Sequence, residues 1–179
     1  MLIITVPGRE MYDEAQNLFT TFKDTTLSLE HSLVSISKWE SKWHKPFYGN
    51  IEKSKEEVKD YIRCMVVGSI SDIFVFDRLT DSNIKEINDY ISDPMTATTF
   101  SNQNKKTSKE ILTSEVIYYL MTAYGIPFEC QKWHINRLLT LIKICEIKNS
   151  PPKKMSKSDI MRRNHDLNMA RRAALHSRG

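Results

Sequence analysis

Cysteine and glycine are scarce in this chain, and their scarcity excludes several classes of protein. Three cysteines occur, Cys64, Cys130 and Cys145, and because they are odd in number and far apart they do not form a disulfide scaffold. Five glycines leave little material for a phosphate-cradling loop, and no P-loop, dinucleotide fingerprint or G-x-S-x-G elbow is present. No segment approaches the roughly 18 consecutive apolar residues of a membrane span. We therefore expect a soluble protein made in a reducing compartment.

Charge is divided unevenly along the chain. The composition is that of an ordinary folded protein, with 40% hydrophobic and 27% charged residues among 179. Residues 1–150 contain 18 basic and 20 acidic residues, whereas residues 151–179 contain eight basic and two acidic ones, a net charge of +6. The consecutive prolines Pro151 and Pro152 favour an extended connection between the two parts. We predict a globular domain over 1–150 and a basic amphipathic arm over 151–179.

The N-terminal residues have the pattern of β-strands. Leu2–Val6 is a short β-favouring run closed by Pro7 and Gly8, and it lacks the basic start and the length of a signal peptide. Thr25–Glu30 alternates polar and apolar residues as a half-buried strand does. The sequence predicts that these two segments pair as a small β element.

The rest of the chain has mainly helical periodicity. Predicted helices cover 32–43, 54–66, 81–92, 108–124, 128–147 and 159–176. Capping boxes at Ser54–Glu57 and Thr107–Glu110 mark two of their starts, and Val58 lies on the predicted inner stripe of the second helix with Ile62 and Met65. For residues 72–76, the pattern does not distinguish a short strand from a helical turn.

A short connection joins the two most apolar predicted helices. Gly125 is placed to end the first, and Pro127 fits the first turn of the second. We expect residues 108–147 to form an antiparallel helical hairpin at the centre of the core. The predicted fold class is mainly α, a helical bundle with a small N-terminal β element and a C-terminal basic helical arm.

Candidate chemistry in the sequence is weak. Cys130 and His134 share a helical face and offer two metal ligands, but a structural zinc site needs four, so a packed thiol beside a hydrogen-bonded histidine is favoured. No nucleophile has a recognisable base and acid partner. We expect no enzyme activity, no catalytic residues, no bound metal and no cofactor.

Two tryptophans, Trp39 and Trp43, lie on neighbouring turns of one helical face. Tryptophan is enriched at interface hot spots, which makes both residues candidate partner contacts. Large aromatic residues also fill cores, and the sequence leaves interface and core open for them.

The basic arm carries the other candidate contacts, Arg162, Arg163, Arg171 and Arg172. Apolar residues among them, including Ile160 and Leu167, argue against a purely solvated charge run. Nucleic acid and an anionic protein surface are both candidate partners. Docking on a protein is favoured because helix-in-groove binding uses this spacing, whereas the arm lacks the interleaved aromatic residues typical of nucleic-acid binding.

Several segments of the sequence resemble those of small proteins encoded by tailed bacteriophages. The resemblance covers nearly the whole chain and is carried by Ser35–Trp43, Pro94–Thr98, Ile126–Ile142, Ala170–Leu175 and Ser177–Gly179. Within that group, the size, the helical content and the lack of a catalytic motif are most similar to tail assembly chaperones.

This resemblance implies a non-enzymatic protein of phage tail morphogenesis that binds tape-measure and tail-tube proteins. On this hypothesis the contact residues are Trp39, Trp43 and the four arginines of the arm, and the site of action is the host cytoplasm during assembly. One alternative is a virion structural protein of the head-tail connector or baseplate, whose location is the virion. Another is a nucleic-acid-binding phage protein, and self-association into a homo-oligomer also stays open.

Overall fold

The structure, a computed structural model, describes residues 1–13, 18–49, 52–70, 72–100, 111–150 and 156–175. It is mostly helical, with 59% helix, and its strands lie at the N-terminus. This confirms the predicted mainly α class and the N-terminal β element. The strands are β1 (Leu2–Val6), β2 (Glu10–Asp13), β3 (Leu18–Thr21) and β4 (Thr25–Leu29). The α-helices are α1 (Leu33–Trp43), α2 (Lys55–Met65), α3 (Asp81–Ser92), α4 (Ser114–Ala123), α5 (Ile135–Asn149) and α6 (Lys157–Leu175), and two 3₁₀ helices cover Ile73–Asp77 and Phe128–Lys132.

The four strands form one long antiparallel hairpin with an interruption in the middle. β1 pairs with β4, as predicted, and β2 pairs with β3 in the same register. Between the two ladders, Pro7 has no N–H to donate, and the Gly8 N–H donates to Asp24 Oδ1 at 2.7 Å. A Cβ atom on Gly8 would collide with the carbonyl oxygen of Phe22. Glycine therefore permits the close approach of the two chains at the interruption.

Both edges of the β1–β4 ladder are covered by other parts of the chain. On the β4 side, the Val67 N–H donates to Ser28 O and the Glu30 N–H donates to Met65 O, both at 2.8 Å. On the β1 side, Asn83 of α3 donates its side-chain amide to Thr5 O at 3.2 Å. This ladder is thus built into the core.

The core lies in the unit Met1–Cys145, one of two compact units into which the chain divides; the other is Glu146–Gly179. Helix α1 is central, because it packs against α2, α4 and the second 3₁₀ helix. The predicted centre, a hairpin of two helices over 108–147, is wrong in this respect. The largest fully buried side chains are Trp39, Leu27, Leu29, Leu33, Ile36, Met65, Ile87, Ile117, Met121, Ile135, Leu138 and Val6.

Local capping signals explain most of the helix starts. Ser54 and Glu57 form the predicted capping box of α2, and Thr80 and Asn83 form a corresponding one at α3. On α2, however, Val58 is 44% exposed, so its predicted place on the inner stripe is wrong. Tyr61 is buried in its stead. Residues 73–77 adopt the helical alternative.

Two predicted helices over 108–147 have different bounds in the structure. The proposed capping box at residues 107–110 lies outside the described residues, residues 111–113 are not helical, and Thr113 caps a helix that begins at Ser114. The predicted helix 128–147 is divided into the second 3₁₀ helix and α5. The division occurs because the chain at His134 forms a β-bridge with Ser32 and the Ile135 N–H donates to His31 O at 2.7 Å.

Candidate partner-binding surfaces

The structure places the two candidate tryptophans in different environments. Trp39 is 1% exposed and its Nε1–H donates to the Glu57 carbonyl oxygen at 2.8 Å, so it is a core residue and its candidate role as a partner contact is not supported. Trp43 is half-buried, and its Nε1–H donates to Asp60 Oδ2 at 2.9 Å. The two rings lie 6.5 Å apart between centroids. Of the pair, only Trp43 presents an edge to the surface.

The surface around Trp43 is a network of opposite charges between α1 and α2. Lys42 Nζ lies 2.5 Å from Asp60 Oδ1, and the Arg63 guanidinium lies 4.0 Å from the same oxygen. Burial opposes ionisation of Asp60, but the hydrogen bonds from Lys42 and Trp43 and the positive charges of Lys42 and Arg63 together outweigh it and lower the pKa of the carboxyl group. The carboxylate is therefore satisfied within this chain, and it is poorly placed to bind a cation from a partner.

The Glu57 carboxylate, on the inner side of this surface, is also bound by groups of the same chain. Lys45 Nζ lies 2.5 Å from Glu57 Oε1, and Glu57 Oε2 accepts the Ser54 N–H at 2.7 Å. The hydrogen bond from Lys45 is the main cause of the lowered Glu57 pKa, and the bond from Ser54 adds to it. The Lys45 contact holds the chain just after α1 against the first turn of α2.

The four candidate arginines all lie on α6, which has no buried residue. Ser156 caps this helix, since its Oγ accepts the Asp159 N–H at 3.1 Å. The helix spacing separates the arginines into two pairs. Arg163 and Arg171 adjoin an apolar stripe of Ile160, Leu167 and Ala174, each arginine being three or four residues from two members of the stripe. Arg162 and Arg172 lie on the other side of the helix.

A buried polar cluster joins five segments of the core, and sequence reasoning identified only one of its members, His134. The His134 Nε2–H donates to Tyr90 O at 3.0 Å and His134 Nδ1 accepts the Asn136 N–H at 3.3 Å. This pattern requires the neutral imidazole. Burial is the main cause of its lowered pKa.

His31 is the second histidine of this cluster. Its ring lies edge-on to that of His134, with 5.0 Å between centroids, and its Nδ1 is hydrogen-bonded to the Tyr61 hydroxyl. Burial, with a contribution from His134, lowers the His31 pKa to about 3, and burial raises the Tyr61 pKa well above its usual value. Tyr61 therefore carries the proton of this hydrogen bond and His31 accepts it.

Glu30 connects the cluster to the β1–β4 ladder. Its Oε1 accepts the Tyr90 hydroxyl at 2.6 Å, and its Oε2 lies 2.9 Å from the terminal ammonium of Met1. The cluster thus consists of neutral histidines, protonated tyrosines and one paired carboxylate. Such groups satisfy one another and hold the core segments together.

Cys130 is buried close in sequence to His134, but the two hydrogen bonds of His134 already occupy both ring nitrogens. Within the described residues, no group of three or more potential ligand side chains lies in position to hold a metal ion. In the same part of the chain, no helix combines the length and apolar character needed to cross a membrane.

The chain was compared with protein families, curated proteins and solved structures, and no match was found in any of the three comparisons.

Proposed function

We propose that this chain is a non-enzymatic tail assembly protein of a tailed bacteriophage, a chaperone that binds tape-measure and tail-tube proteins through α6. The observation that carries the proposal is the arrangement of α6. The helix is capped, it has no buried residue, and it places arginines beside an apolar stripe. The resemblance of the sequence to small phage proteins gives the biological setting.

The docking face consists of the apolar stripe Ile160, Leu167 and Ala174 together with Arg163 and Arg171. Its partner is an apolar groove with an acidic rim on a tail protein. Amphipathic helices bind such grooves through anchors seven residues apart, and the cationic edges complement carboxylates on the rim. Trp43 lies on a surface whose charges are already paired within the chain, so we assign it a secondary role at most.

Co-expression of the full chain with the tape-measure protein of the same phage tests this face. The readout is the dissociation constant of the purified pair. The double variant Arg163→Glu/Arg171→Glu should weaken binding by about 10-fold or more, which corresponds to about 1.4 kcal/mol. The matched control Arg162→Glu/Arg172→Glu makes the same change of net charge on the other side of α6 and should bind within about 3-fold of the wild-type chain.

The other outcomes of this experiment contradict the proposal in distinguishable ways. Equal losses in both double variants would indicate a diffuse electrostatic attraction. Salt-dependent binding to duplex DNA, abolished by both double variants, would favour the nucleic-acid alternative. No binding to the tape-measure protein, with the chain present in stoichiometric copies in mature particles, would favour a connector or baseplate component.

A further inference from the structure

In the part of the chain that the structure describes, no further strand pairs with the outer edges of the β2–β3 ladder, in contrast to the covered edges of the β1–β4 ladder. Within the described residues, β2 and β3 pair only with each other. A two-stranded ladder is marginally stable unless further strands or a helix pack against it. We propose that β3 pairs with β3 of a second copy of this chain, so that two hairpins form one four-stranded antiparallel sheet across a two-fold axis.

The backbone of β3 directs N–H and C=O groups outward in the positions that this pairing needs. The Phe22 N–H donates to Arg9 O at 2.9 Å, which makes Arg9 and Phe22 a hydrogen-bonded pair. Because such pairs alternate along an antiparallel ladder, Glu10–Thr21 and Tyr12–Phe19 are pairs of the other kind. The N–H and C=O groups of Phe19 and Thr21 therefore point away from β2, toward the outer edge of β3.

One register uses all four of these groups. With the two-fold axis at Thr20, Phe19 lies opposite the second copy's Thr21, and Thr21 lies opposite the second copy's Phe19. Each of these two pairs exchanges two backbone hydrogen bonds, so the interface gains four.

Charge favours β3 over β2 as the paired edge, and a second copy as its partner. Leu18–Phe22 contains no charged residue, no proline and no glycine, a composition that exposed edge strands usually avoid. In contrast, β2 contains Glu10 and Asp13, and charged residues are typical of edge strands that are kept from pairing. The β3 segment is thus complementary to itself.

Exposed apolar side chains lie along the same edge. Phe19 is 68% exposed and packs against Tyr12 with 5.0 Å between ring centroids. In the proposed register the two Phe19 rings are diagonal neighbours, so an aromatic cluster forms across the new sheet. At the Thr21 end, Ile73 and Phe74 line a shallow depression beside the strand, and both are more than half exposed.

The oligomeric state of the purified full chain tests the pairing. Sedimentation equilibrium should give a mass twice the 20.9 kDa of one chain. Thr21→Pro removes an outward N–H without affecting the bonds to β2, because proline is tolerated where the N–H of an edge strand points to solvent. This variant should be monomeric. The matched control Glu10→Pro, which makes the same change on the outer edge of β2, should remain dimeric.

A cysteine variant tests the register independently of proline. Thr20→Cys places two thiols opposite each other at the two-fold axis, at the spacing that a disulfide requires. Under mild oxidation it should form a cross-linked dimer at least 10-fold more efficiently than Thr21→Cys, whose two thiols are not opposite each other. A monomeric wild-type chain, a dimeric Thr21→Pro variant, a monomeric Glu10→Pro variant, or equal cross-linking of the two cysteine variants would each overturn the proposal.

Discussion

Acidification should destabilise this protein through the buried histidine His31, well above the pH at which carboxylates titrate. Burial lowers the pKa of His31 from 6.5 to about 3. Below pH 6.5 the unfolded chain therefore binds a proton that the folded chain does not, so stability is present above pH 6.5 and is lost as the pH falls toward 3. At pH 5.0 this difference spans 1.5 pH units, or about 2 kcal/mol.

The second buried histidine acts in the same direction. The pKa of His134 is also lowered, and its protonation would remove the acceptor of the Asn136 N–H. Among the described residues, the carboxyl groups with shifted pKa values, such as Asp60, have lowered values and so begin to lose their contribution only below about pH 4. Between pH 7.5 and 5.0 the histidines therefore dominate the pH dependence.

Urea denaturation at pH 7.5 and 5.0 measures this effect. The free energy of unfolding of the wild-type chain should fall by about 2 kcal/mol or more between the two values. His31→Asn should reduce that fall by about 2 kcal/mol, because the variant has no imidazole at this buried position to protonate. A wild-type loss below about 1 kcal/mol, or an unchanged pH dependence in His31→Asn, would refute this explanation.

Two further predictions concern the free energy of unfolding at pH 7.5. Gly8→Ala should cost about 2 kcal/mol, because its Cβ would meet the Phe22 carbonyl oxygen, and a cost below about 0.5 kcal/mol would contradict the close approach. Trp39→Phe should cost about 2 kcal/mol because it leaves the buried Glu57 carbonyl without its side-chain donor, whereas Trp43→Phe at the half-exposed position should cost less than about 1 kcal/mol. Equal costs for the two tryptophan variants would contradict their assignment to core and surface.

Local signals in the sequence were sufficient for much of the helical structure. The capping box at Ser54 and Glu57 predicts the start of α2 because both of its hydrogen bonds lie within four residues. The pairing of β1 with β4 follows from two short segments with β-strand pattern. In such places the residues that determine the structure are close together in the sequence.

Long-range contacts determined what the sequence analysis missed. The apolar periodicity runs through His134 without a visible break, and the helix is divided there because Ile135 donates to His31 O, about a hundred residues earlier in the chain. The β2–β3 ladder follows from continuation of the β1–β4 register and not from a pattern in Glu10–Asp13. Neither contact leaves a local signal.

Of the candidate partner contacts, the arginines of α6 were predictable from the sequence and the environment of Trp39 was not. The arginines of α6 are visible as charge, and their division into two pairs follows from helical spacing once the bounds of α6 are given. The burial of Trp39 was not predictable, because tryptophan serves both cores and interfaces and only the packing of α1 against α2 distinguishes them here.

The protein content of purified mature phage particles tests the central claim most directly, because a chaperone acts during assembly and then leaves. Quantitative mass spectrometry should find this chain in infected cells, bound to the tape-measure protein, and at far less than one copy per mature particle. A fixed, stoichiometric number of copies in mature particles would contradict the account and identify the chain as a structural component.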